Sequence, residues 1–387
     1  MRDVAIIGVG LTTFGERWES GLRELMAEAG LAALEDANVE SKDVEIVYGG
    51  TMASGRFIGQ EHVAALLADQ LGFKNIPAVR IENACASGGS ALRQGYMAVA
   101  SGMYNLVAVG GVEKMTDATS TEATTALGGA GDQEWELSQG ITFPGLYALM
   151  ARRHMYEYGT TVEQMASVAV KNHDNACKNK YAQFHKKFTI SDILNSKVVA
   201  DPLRILDCSP ISDGAAAVIM APLEIAKKYT DTPIHIIGSA QASDTLGLSD
   251  RDKITEIKAT KIAAEDAFRQ AKISSKDVNV LEVHDCFTIA EILAMEDMGF
   301  YKKGKAAKAI EDGETTLNSK ISVNTSGGLK GCGHPVGATG IKQAVEVTLQ
   351  LRGEAGERQV NGAEIGVTHN VGGSGATSVV HVMKRYN

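Results

Sequence analysis

Residues 83–92 read NACASGGSAL, a lone cysteine set among small residues and a pair of glycines. An apolar run from Ile76 to Ile81 with β-type composition leads into this stretch, and the positions that follow it have helical spacing. A strand-to-helix junction places Cys85 at or near a helix N-terminus, where free N–H groups and the helix dipole favour a thiolate. We therefore predict a reactive Cys85 with a lowered pKa; the alternative is a small buried cysteine before a glycine-rich helix.

Outward from this turn, the chain alternates between strand-type and helical patterns. Gly88 and Gly89 would let another helix or a substrate approach the turn closely. Alternation of this kind is typical of a sheet covered on both faces, so we predict an α/β fold. The predicted strands are residues 4–9, 44–50, 76–81, 106–111 and 213–220, and the predicted helices are residues 22–37, 62–71 and the helix after Cys85.

The alternation stops between about Thr116 and Ile205, where the chain is polar and rich in Gly and Thr. A long excursion between regular strands usually forms a lid or a binding region. We predict that it has this role and that it contains three helices of its own, at residues 146–158, 162–178 and 190–194.

An internal repeat relates two distant parts of the chain. Residues 33–47 read ALEDANVESKDVEIV and residues 267–281 read AFRQAKISSKDVNVL, at a constant offset without a gap. Both copies follow a predicted strand that ends in glycine, at Gly8 and Gly238. A weaker echo pairs residues 83–89 with NTSGG at residues 324–328. We infer two similar halves, whose helix N-termini would meet at one face, where open α/β sheets place ligands.

Composition limits the classes of function. The chain has 387 residues and a net charge of −9 without a basic stripe, so we expect neither nucleic acid nor an anionic membrane as a partner. The first predicted strand begins at residue 4, and we see no signal peptide before it. No apolar run approaches the length of a membrane span. Five widely spaced cysteines favour a reducing compartment, and we predict a cytoplasmic protein. These cysteines are Cys85, Cys177, Cys208, Cys286 and Cys332.

Three further turns carry reactive side chains. VHDCFT at residues 283–288 holds His284 and Cys286, GCGHPVG at 331–337 holds His334, and THNVGGSG at 368–375 holds His369. For a single histidine or cysteine, a packed position in the core is about as common as a functional role. Four such turns in one duplicated chain together favour a shared site.

These motifs together resemble the thiolase family over essentially the whole chain. The resemblance rests on NACASGG, on NTSGGLKGCGHPVGATG at residues 324–340 and on HNVGGSG at residues 369–375. HDCF at residues 284–287 and TFPG at residues 142–145 look like the sterol-carrier-protein-type and archaeal-type members. The resemblance implies a five-layered αβαβα fold of two similar halves, 1–225 and 226–387. A loop domain of about residues 116–205 would be inserted in the first half.

The chain departs from the common thiolase pattern in two places. The usual second cysteine, in a C-x-G turn near the C-terminus, is replaced by residues 370–372, which read NVG. The usual Asn-Glu-Ala-Phe turn is replaced by residues 284–287. We infer that the second thiol has moved to Cys286, as in the subgroup named above.

The resemblance implies an acetyl-CoA C-acetyltransferase, which condenses two acetyl-CoA to acetoacetyl-CoA and CoA through an acetyl-cysteine. Cys85 would be the nucleophile, assisted by His334, and Cys286 the acid and base, with His284 beside the enolate. The oxyanion hole would consist of the backbone N–H groups of Cys85 and Gly372. Coenzyme A is expected as substrate and product, with no permanently bound cofactor and no metal.

The resemblance also implies partners. The family forms dimers of dimers, and the archaeal type suggests assembly with 3-hydroxy-3-methylglutaryl-CoA synthase through a small OB-fold protein. Such a complex would pass acetoacetyl-CoA towards isoprenoid synthesis. No residue of this sequence indicates the contact.

Three other functions stay open at this point: a longer-chain 3-ketoacyl-CoA thiolase, a ketoacyl synthase-like condensing enzyme, and a non-catalytic acyl-CoA-binding scaffold. A zinc site is also conceivable, since two thiols and two imidazoles suit tetrahedral zinc. Its ligands would be His284, Cys286, Cys332 and His334, although single-residue spacings make joint ligation awkward. We predict instead that Cys332 is structural.

The inserted region offers candidates for substrate contacts. Arg152 and Arg153 could bind CoA phosphates or could simply be solvated. Four apolar side chains could line an acyl pocket or form a small core, and we favour the core; they are Phe143, Tyr147, Met150 and Met155. Cys177 and Cys208 are predicted as packing residues.

Overall fold

The computed structural model describes residues 1–386, and most of the predicted elements form within a few residues of their expected bounds. The strands are β1 (Val4–Leu11), β2 (Ile46–Gly50), β3 (Ala78–Ile81), β4 (Val107–Glu113), β5 (Val198–Ala200), β6 (Leu203–Arg204), β7 (Gly214–Pro222), β8 (Ile234–Ser243), β9 (Val280–Glu282), β10 (Ser322–Val323), β11 (Ile365–Gly372) and β12 (Thr377–Arg385).

The helices of residues 1–386 include none that is long and apolar enough to span a bilayer. They are α1 (Leu22–Asp36), α2 (Ser54–Phe57), α3 (Val63–Gln70), α4 (Ser87–Ala100), α5 (Ser120–Gly128), α6 (Phe143–Tyr158), α7 (Val162–Ala176), α8 (Ile190–Leu194), α9 (Leu223–Ala226), α10 (Lys258–Ala271), α11 (Thr288–Asp297), α12 (Ala306–Glu311), α13 (Gly328–Cys332) and α14 (Val336–Arg352).

Ten strands form one mixed sheet with internal symmetry. The strand order is β10-β9-β11-β12-β8-β1-β7-β4-β2-β3, so each half contributes five strands and the halves join through antiparallel β1 and β8. In each half the two strands farthest from the junction and their inner neighbour run parallel, whereas the inner pairs are antiparallel. The two halves therefore share one topology, related about the junction between β1 and β8.

The layers follow from how the helices pack on this sheet. α4 and α14 pack on each other and contact strands of both halves, so they form a central helical layer. α1 covers β1, β7 and β4 on the outer side of the first half, and α10 covers β8 and β12 on that of the second half. This arrangement is the predicted αβαβα architecture, and the prediction of two similar halves is confirmed.

The internal repeat corresponds to one packing contact made twice. A Cβ atom on Gly8 would lie 2.4 Å from the Ala33 oxygen, and one on Gly238 would lie 2.4 Å from the Ala267 oxygen. Each glycine thus lets its strand touch the backbone of the repeated helix, α1 or α10. The Ser-Lys-Asp segments after these helices also form matching 3₁₀ turns, at Ser41–Asp43 and Ser275–Asp277.

Glycines also permit the close approach of α4 and α14. A Cβ atom on Gly88 would lie 2.6 Å from the Gly337 oxygen, and one on Gly340 would lie 2.2 Å from the Gly89 nitrogen. The prediction that Gly88 and Gly89 admit another helix is therefore confirmed. Because both helices begin near this contact, it brings the two N-termini to one face of the molecule.

The inserted region contains the three predicted helices as α6, α7 and α8, and α5 in addition. We missed α5, although its N-terminus carries a sequence signal. Thr119 accepts from the Glu122 N–H, and the Glu122 carboxylate accepts from the Thr119 N–H, which is a capping box. The spacing of Thr119 and Glu122 could have revealed this helix.

Candidate active site

Cys85 lies in the tight turn between β3 and α4, two residues before the helix begins. Ser87 fixes this turn, since its hydroxyl donates to the Ala84 oxygen at 2.6 Å and accepts from the Asn83 N–H at 2.9 Å. Ala84 has a positive φ of 51°, a strained conformation for a residue with a side chain. The sequence thus folds locally as predicted, with the thiol beside a helix N-terminus.

All four side chains predicted as catalytic line one cavity of about 550 Å³. Cys85 comes from the first half of the chain, and His284, Cys286 and His334 come from the second. The two sulfurs, 201 residues apart in sequence (286 − 85), therefore share one compartment. The inserted region supplies much of the remaining wall, chiefly Thr124, Thr125, Leu127, Leu137, Ile141, Phe143, Leu146 and Tyr147.

Two imidazoles face the Cys85 thiol. The sulfur and one nitrogen from each of His284 and His334 all lie within 4.8 Å of one another. The two rings are nearly perpendicular, with centroids 5.0 Å apart and an interplanar angle of 83°. An atom bound between the thiol and the rings could therefore contact all three groups.

Asn370 fixes the orientation of His284, a role that we did not predict. Its Oδ1 accepts from the Gly89 N–H at 3.0 Å, and its Nδ2 donates to the Cys85 oxygen at 3.0 Å. Nδ2 also lies 3.1 Å from His284 Nδ1. Because the two backbone partners fix which amide atom is nitrogen, His284 Nδ1 must accept, and Nε2 carries the proton. The neutral His284 is thus a hydrogen-bond donor toward the cavity.

His334 has the opposite tautomer. The Thr339 hydroxyl donates to the Pro335 oxygen at 2.9 Å and lies 2.7 Å from His334 Nδ1. That hydroxyl therefore accepts from Nδ1–H, which leaves a lone pair on Nε2. One imidazole can donate and the other can accept, so the pair suits a reaction in which a proton leaves one substrate atom and an oxygen gains charge.

Burial keeps these groups neutral. It lowers the pKa of His334 to about 3 and the pKa of His284 well below its usual value. Burial also raises the pKa of the Cys85 thiol to about 12, more than the Gly373 backbone N–H lowers it. Our prediction of a lowered Cys85 pKa is therefore wrong, because loss of hydration outweighs the helix N-terminus. The resting pair is a neutral thiol beside a neutral imidazole.

A backbone N–H reaches the Cys85 sulfur from the turn after β11. This group belongs to Gly373, which lines the cavity, and it follows Gly372, the residue that we predicted as an oxyanion donor. Gly373 has a positive φ of 61°, and an added Cβ would lie 2.9 Å from the Ala130 oxygen. The turn therefore requires glycine at this position, and the oxyanion role of the Gly372 N–H stays a prediction.

Cys286 lies between β9 and α11 and also lines the cavity, with a residue exposure of 7%. Burial raises its pKa above the usual value, and the neighbouring Tyr147 partly offsets this rise. The Tyr147 hydroxyl donates its proton to the Gly373 oxygen at 3.2 Å, and the Tyr147 ring packs on Phe287 with centroids 4.6 Å apart. Tyr147 thus belongs both to the core and to the cavity wall.

The other candidates divide between cavity and core. Phe143 lines the cavity, whereas Met150 is fully buried in the core. Cys208 also lines the cavity, so our description of it as a packing residue was incomplete. Arg152 and Arg153 are more than half exposed and form ion pairs with acidic neighbours, and neither lines the cavity.

The remaining two cysteines lie outside the cavity. Cys332 is fully buried, and its sulfur accepts from Asn179 Nδ2 at 3.7 Å, which fits the structural role that we predicted. Cys177 is only partly buried and directly follows α7.

Cys85, His284 and His334 lie close enough together to suggest a metal site, but the His284 nitrogen that faces the cavity cannot be a ligand. Within residues 1–386, the metal-type group consists of Cys85, His284 and His334, and it excludes Cys286 and Cys332 of the zinc hypothesis. The Asn370 amide leaves the proton on His284 Nε2, so that nitrogen has no lone pair for a metal. Only Cys85 and His334 could then bind an ion, fewer protein ligands than zinc sites use.

Known proteins resemble the chain over its full length. The family model described as "Thiolase, N-terminal domain" matches residues 4–224, and "Thiolase C-terminal domain-like" matches residues 240–385. The "Acetyl-CoA acetyltransferase" of Methanothermobacter thermautotrophicus is 58% identical over 385 residues, and the alignment covers 100% of both chains. "Sterol carrier protein 2" of Gallus gallus is 35% identical, over 98% of this chain and 71% of the relative.

A solved structure has the same fold. "Ltp2-ChsH2(DUF35) aldolase" is similar with a TM-score of 0.86 and 26% identity, over 99% of this chain and 98% of that chain. The resemblance to the archaeal and sterol-carrier-protein types of the family is thereby confirmed. The chain belongs to the thiolase family and is an acyltransferase of the acetyl-CoA acetyltransferase type.

Proposed function

We propose that the cavity condenses two molecules of acetyl-CoA, with Cys85 as the nucleophile and Cys286 as the acid and base. The observation that carries the proposal is that two thiols and two imidazoles of opposite tautomer line one cavity of about 550 Å³. A condensation needs a carrier for the first acyl group and a base for the second substrate, and the two thiols can divide these tasks.

In the first step the Cys85 sulfur attacks the thioester carbon of acetyl-CoA. His334 Nε2 takes the thiol proton as the S–C bond forms, because a neutral thiol must lose its proton during the attack. The oxyanion would receive hydrogen bonds from the backbone N–H groups of Cys85 and Gly372, with the Gly373 N–H close to the sulfur. When the tetrahedral intermediate breaks down, CoA leaves and takes the proton from His334.

In the second step the Cys286 thiolate removes a proton from the methyl group of another acetyl-CoA. The negative charge moves to the thioester oxygen, to which His284 Nε2–H can donate. The enolate carbon then attacks the acetyl group on Cys85, and the Cys85 sulfur leaves as acetoacetyl-CoA forms. The departing Cys85 thiolate takes up the proton that Cys286 holds, so Cys85 is again a thiol and Cys286 a thiolate when the next cycle begins.

Two variants separate the two steps. With Cys85→Ala we expect neither turnover nor a covalent intermediate. With Cys286→Ala we expect Cys85 to be acetylated by acetyl-CoA, detected as the mass of the Cys85 peptide, while formation of acetoacetyl-CoA stops. Cys208→Ala is a matched control, because this thiol lines the same cavity and has no assigned step. Full activity of the Cys286 variant would show that our acid and base assignment is wrong.

Two related activities are the alternatives within this site. The inserted region contributes apolar walls through Leu127, Leu137, Ile141 and Leu146, which could also accept a longer acyl chain. Rates of thiolysis across a series of 3-ketoacyl-CoA chain lengths decide between the two thiolase activities. Decarboxylative condensation of malonyl-CoA without thiolysis would indicate a ketoacyl synthase-like reaction.

We propose in addition that the protein is a cytoplasmic dimer of dimers that supplies acetoacetyl-CoA for isoprenoid synthesis. We propose residues 1–225 and 226–387 as its halves, and Coenzyme A as its only cofactor-like ligand. We also propose a complex with 3-hydroxy-3-methylglutaryl-CoA synthase through an OB-fold protein, which rests on the resemblance to the archaeal type of the family. Co-purification from native extract and the mass of the purified assembly test these proposals.

A further inference from the structure

Lys330 is a buried lysine whose ammonium has no direct partner. Four lysines are at most 7% exposed, and three of them are paired: Lys114 with Asp213, Lys171 with Glu291 and Lys342 with Glu282. Lys330 is 1% exposed, and within residues 1–386 its Nζ forms no hydrogen bond. Because an unpaired buried charge is costly, this side chain calls for a physical explanation.

Backbone contacts bring Lys330 close to Cys286. The N–H groups of Leu329 and Lys330 donate to the Asp285 carboxylate at 2.7 and 3.4 Å, and Asp285 directly precedes Cys286. On the other side, the Ser209 N–H donates to the Cys286 oxygen at 2.9 Å. The segment of α13 that carries Lys330 is therefore held against the turn that carries Cys286.

The titratable groups around both side chains can be named. Those that act on Lys330 and Cys286 are Cys85, Tyr147, His173, Asp207, Cys208 and Asp285. The two carboxylates already accept hydrogen bonds from other groups. Asp207 accepts from the Arg204 N–H and the Thr288 hydroxyl, and Asp285 accepts from Asn172 as well as from α13. Neither carboxylate is within hydrogen-bond distance of Lys330 Nζ.

Lys330 and Cys286 shift each other's pKa in opposite directions. Burial lowers the pKa of Lys330, and the charges of Cys208, Asp207, Asp285 and Cys286 raise it again. Burial raises the pKa of Cys286, and Lys330 is one of the groups that lower it. A negative charge on Cys286 thus stabilises the buried Lys330 ammonium, and the ammonium stabilises that charge. The second step of the proposed function requires this negative charge, because Cys286 acts there as a thiolate.

We propose that Lys330 is an electrostatic positioning residue that stabilises the thiolate of Cys286 and so makes this thiol a usable base. This inference rests on the proposed role of Cys286. As the thiolate removes the methyl proton of acetyl-CoA, the S–H bond forms, the C–H bond breaks, and the charge moves to the substrate oxygen. Lys330 keeps its own proton throughout. Lys330 increases the fraction of Cys286 that is a thiolate before the reaction, and it does not contact the substrate.

The experiment titrates Cys286 directly and without turnover. In a Cys85→Ala background, which removes the competing nucleophile, iodoacetamide is added over a pH series and the alkylated fraction of the Cys286 peptide is measured by mass. Lys330 Nζ lies beyond hydrogen-bond distance of the Cys286 sulfur, so Lys330→Met should raise the midpoint by about one unit, the lower end of the shift that a nearby opposite charge causes. Lys330→Arg, which keeps the charge, should stay near the parent value.

Controls separate this effect from a structural one. Lys171→Met removes another buried ammonium that pairs with Glu291, and it should leave the Cys286 midpoint unchanged. An unchanged midpoint in Lys330→Met, together with a lowered unfolding temperature, would show that Lys330 only offsets Asp207 and Asp285 and would overturn the proposal. If Lys330→Met does not fold, Lys330→Gln is titrated in the same way.

The result of the alkylation experiment does not depend on whether the proposed function is correct. Activity of Cys286→Ala tests the role of Cys286, whereas alkylation tests only what Lys330 does to this thiol. In the Cys85-containing enzyme, Lys330→Met should also lower the condensation rate at neutral pH by about tenfold, since one pKa unit corresponds to a tenfold smaller thiolate fraction. Acetylation of Cys85 should persist in this variant.

Discussion

The two halves of the molecule share a scaffold but use the same turn differently. After β3 of the first half, the turn presents the Cys85 thiol to a cavity. After β10 of the second half, the corresponding position holds Ser326, whose hydroxyl accepts from Lys342 at 2.6 Å and bonds the Glu282 carboxylate at 2.5 Å. A turn that leaves a nucleophile free in one half is therefore fixed by a buried ion pair in the other.

This difference shows how a duplicated fold becomes an asymmetric site. The first half contributes a nucleophile whose turn is fixed by the Ser87 hydroxyl. The second half contributes His284, Cys286 and His334, each set in a turn stabilised by buried polar groups. Asn370 connects the two sets, because one amide bonds both the Cys85 turn and His284. The comparison predicts that substitution of Asn370 lowers catalytic activity. It also predicts that substitutions at the strand–helix contacts of Gly8 and Gly238, which both halves repeat, lower the stability of the fold.

The largest effect is expected from Asn370→Asp, which breaks the link between the halves. A carboxylate cannot donate to His284 Nδ1, so the imidazole should take the other tautomer and lose its Nε2–H donor. Loss of one such donor costs about 10² to 10³ in kcat, and condensation should fall by this factor. Steady-state kinetics of acetoacetyl-CoA formation and mass detection of acetylated Cys85 measure the two steps separately.

Gln343→Glu is the matched control for this substitution. Gln343 is a buried amide on α14 that donates to the His369 oxygen at 2.9 Å, and it does not line the cavity. The same amide-to-carboxyl change should therefore lower stability more than kcat/KM. Equal loss of activity in both variants would mean that Asn370 acts only through general stability.

Smaller effects are expected at the contact that both halves repeat. An added Cβ on Gly8 or on Gly238 would lie 2.4 Å from a helix carbonyl oxygen, so the strand or the helix must move. Overpacking of this kind costs about 1–3 kcal/mol, and Gly8→Ala and Gly238→Ala should each lower the free energy of unfolding by this amount. Denaturant titration measures the effect.

Gly49→Ala tests whether any strand glycine would behave in this way. Gly49 lies in β2, where an added Cβ would meet no atom closer than 3.5 Å, so we expect little change in the free energy of unfolding. If Gly238→Ala were as mild as Gly49→Ala while Gly8→Ala was severe, the two halves would not be equivalent in packing.

Much of this scaffold could be predicted from the sequence, because it depends on local patterns. Apolar runs that end in glycine predicted β1 and β4, and the constant offset between residues 33–47 and 267–281 predicted the repeated contact. The four reactive turns also indicated a shared site, since they recur at strand ends in both halves. Resemblance to a family then supplied the pairing of Cys85 with Cys286.

The electrostatics of the site could not be predicted in this way. A thiol beside a helix N-terminus suggested a lowered pKa at Cys85, but burial raises it, and burial depends on how the inserted region closes the cavity. The role of Asn370 was also hidden, because its three partners come from two distant segments. Contacts of this kind arise from tertiary packing and leave no periodic signal.

The smallest effect concerns buried histidines, which the second half contributes as His284, His334, His369 and His381. Burial lowers the pKa of His381 from 6.5 to about 4, and its Nε2 lies 3.2 Å from the Gly89 oxygen in α4. Between these pH values the unfolded chain binds a proton that the folded protein does not. Stability therefore falls as the pH drops below 6.5, and this contribution disappears above it.

His381→Gln keeps a donor for the Gly89 oxygen but removes the titrating group. One proton of difference changes the free energy of unfolding by about 1.4 kcal/mol per pH unit, so the variant should lose stability less steeply on acidification by up to this slope. Urea titrations at several pH values between 6.5 and 4 measure it, and the values above pH 6.5 serve as the control for the substitution itself. Parallel curves for the two proteins would mean that His381 binds protons equally in the folded and unfolded chains, and acid sensitivity would then have to come from other buried groups, such as His173, His334 and His369.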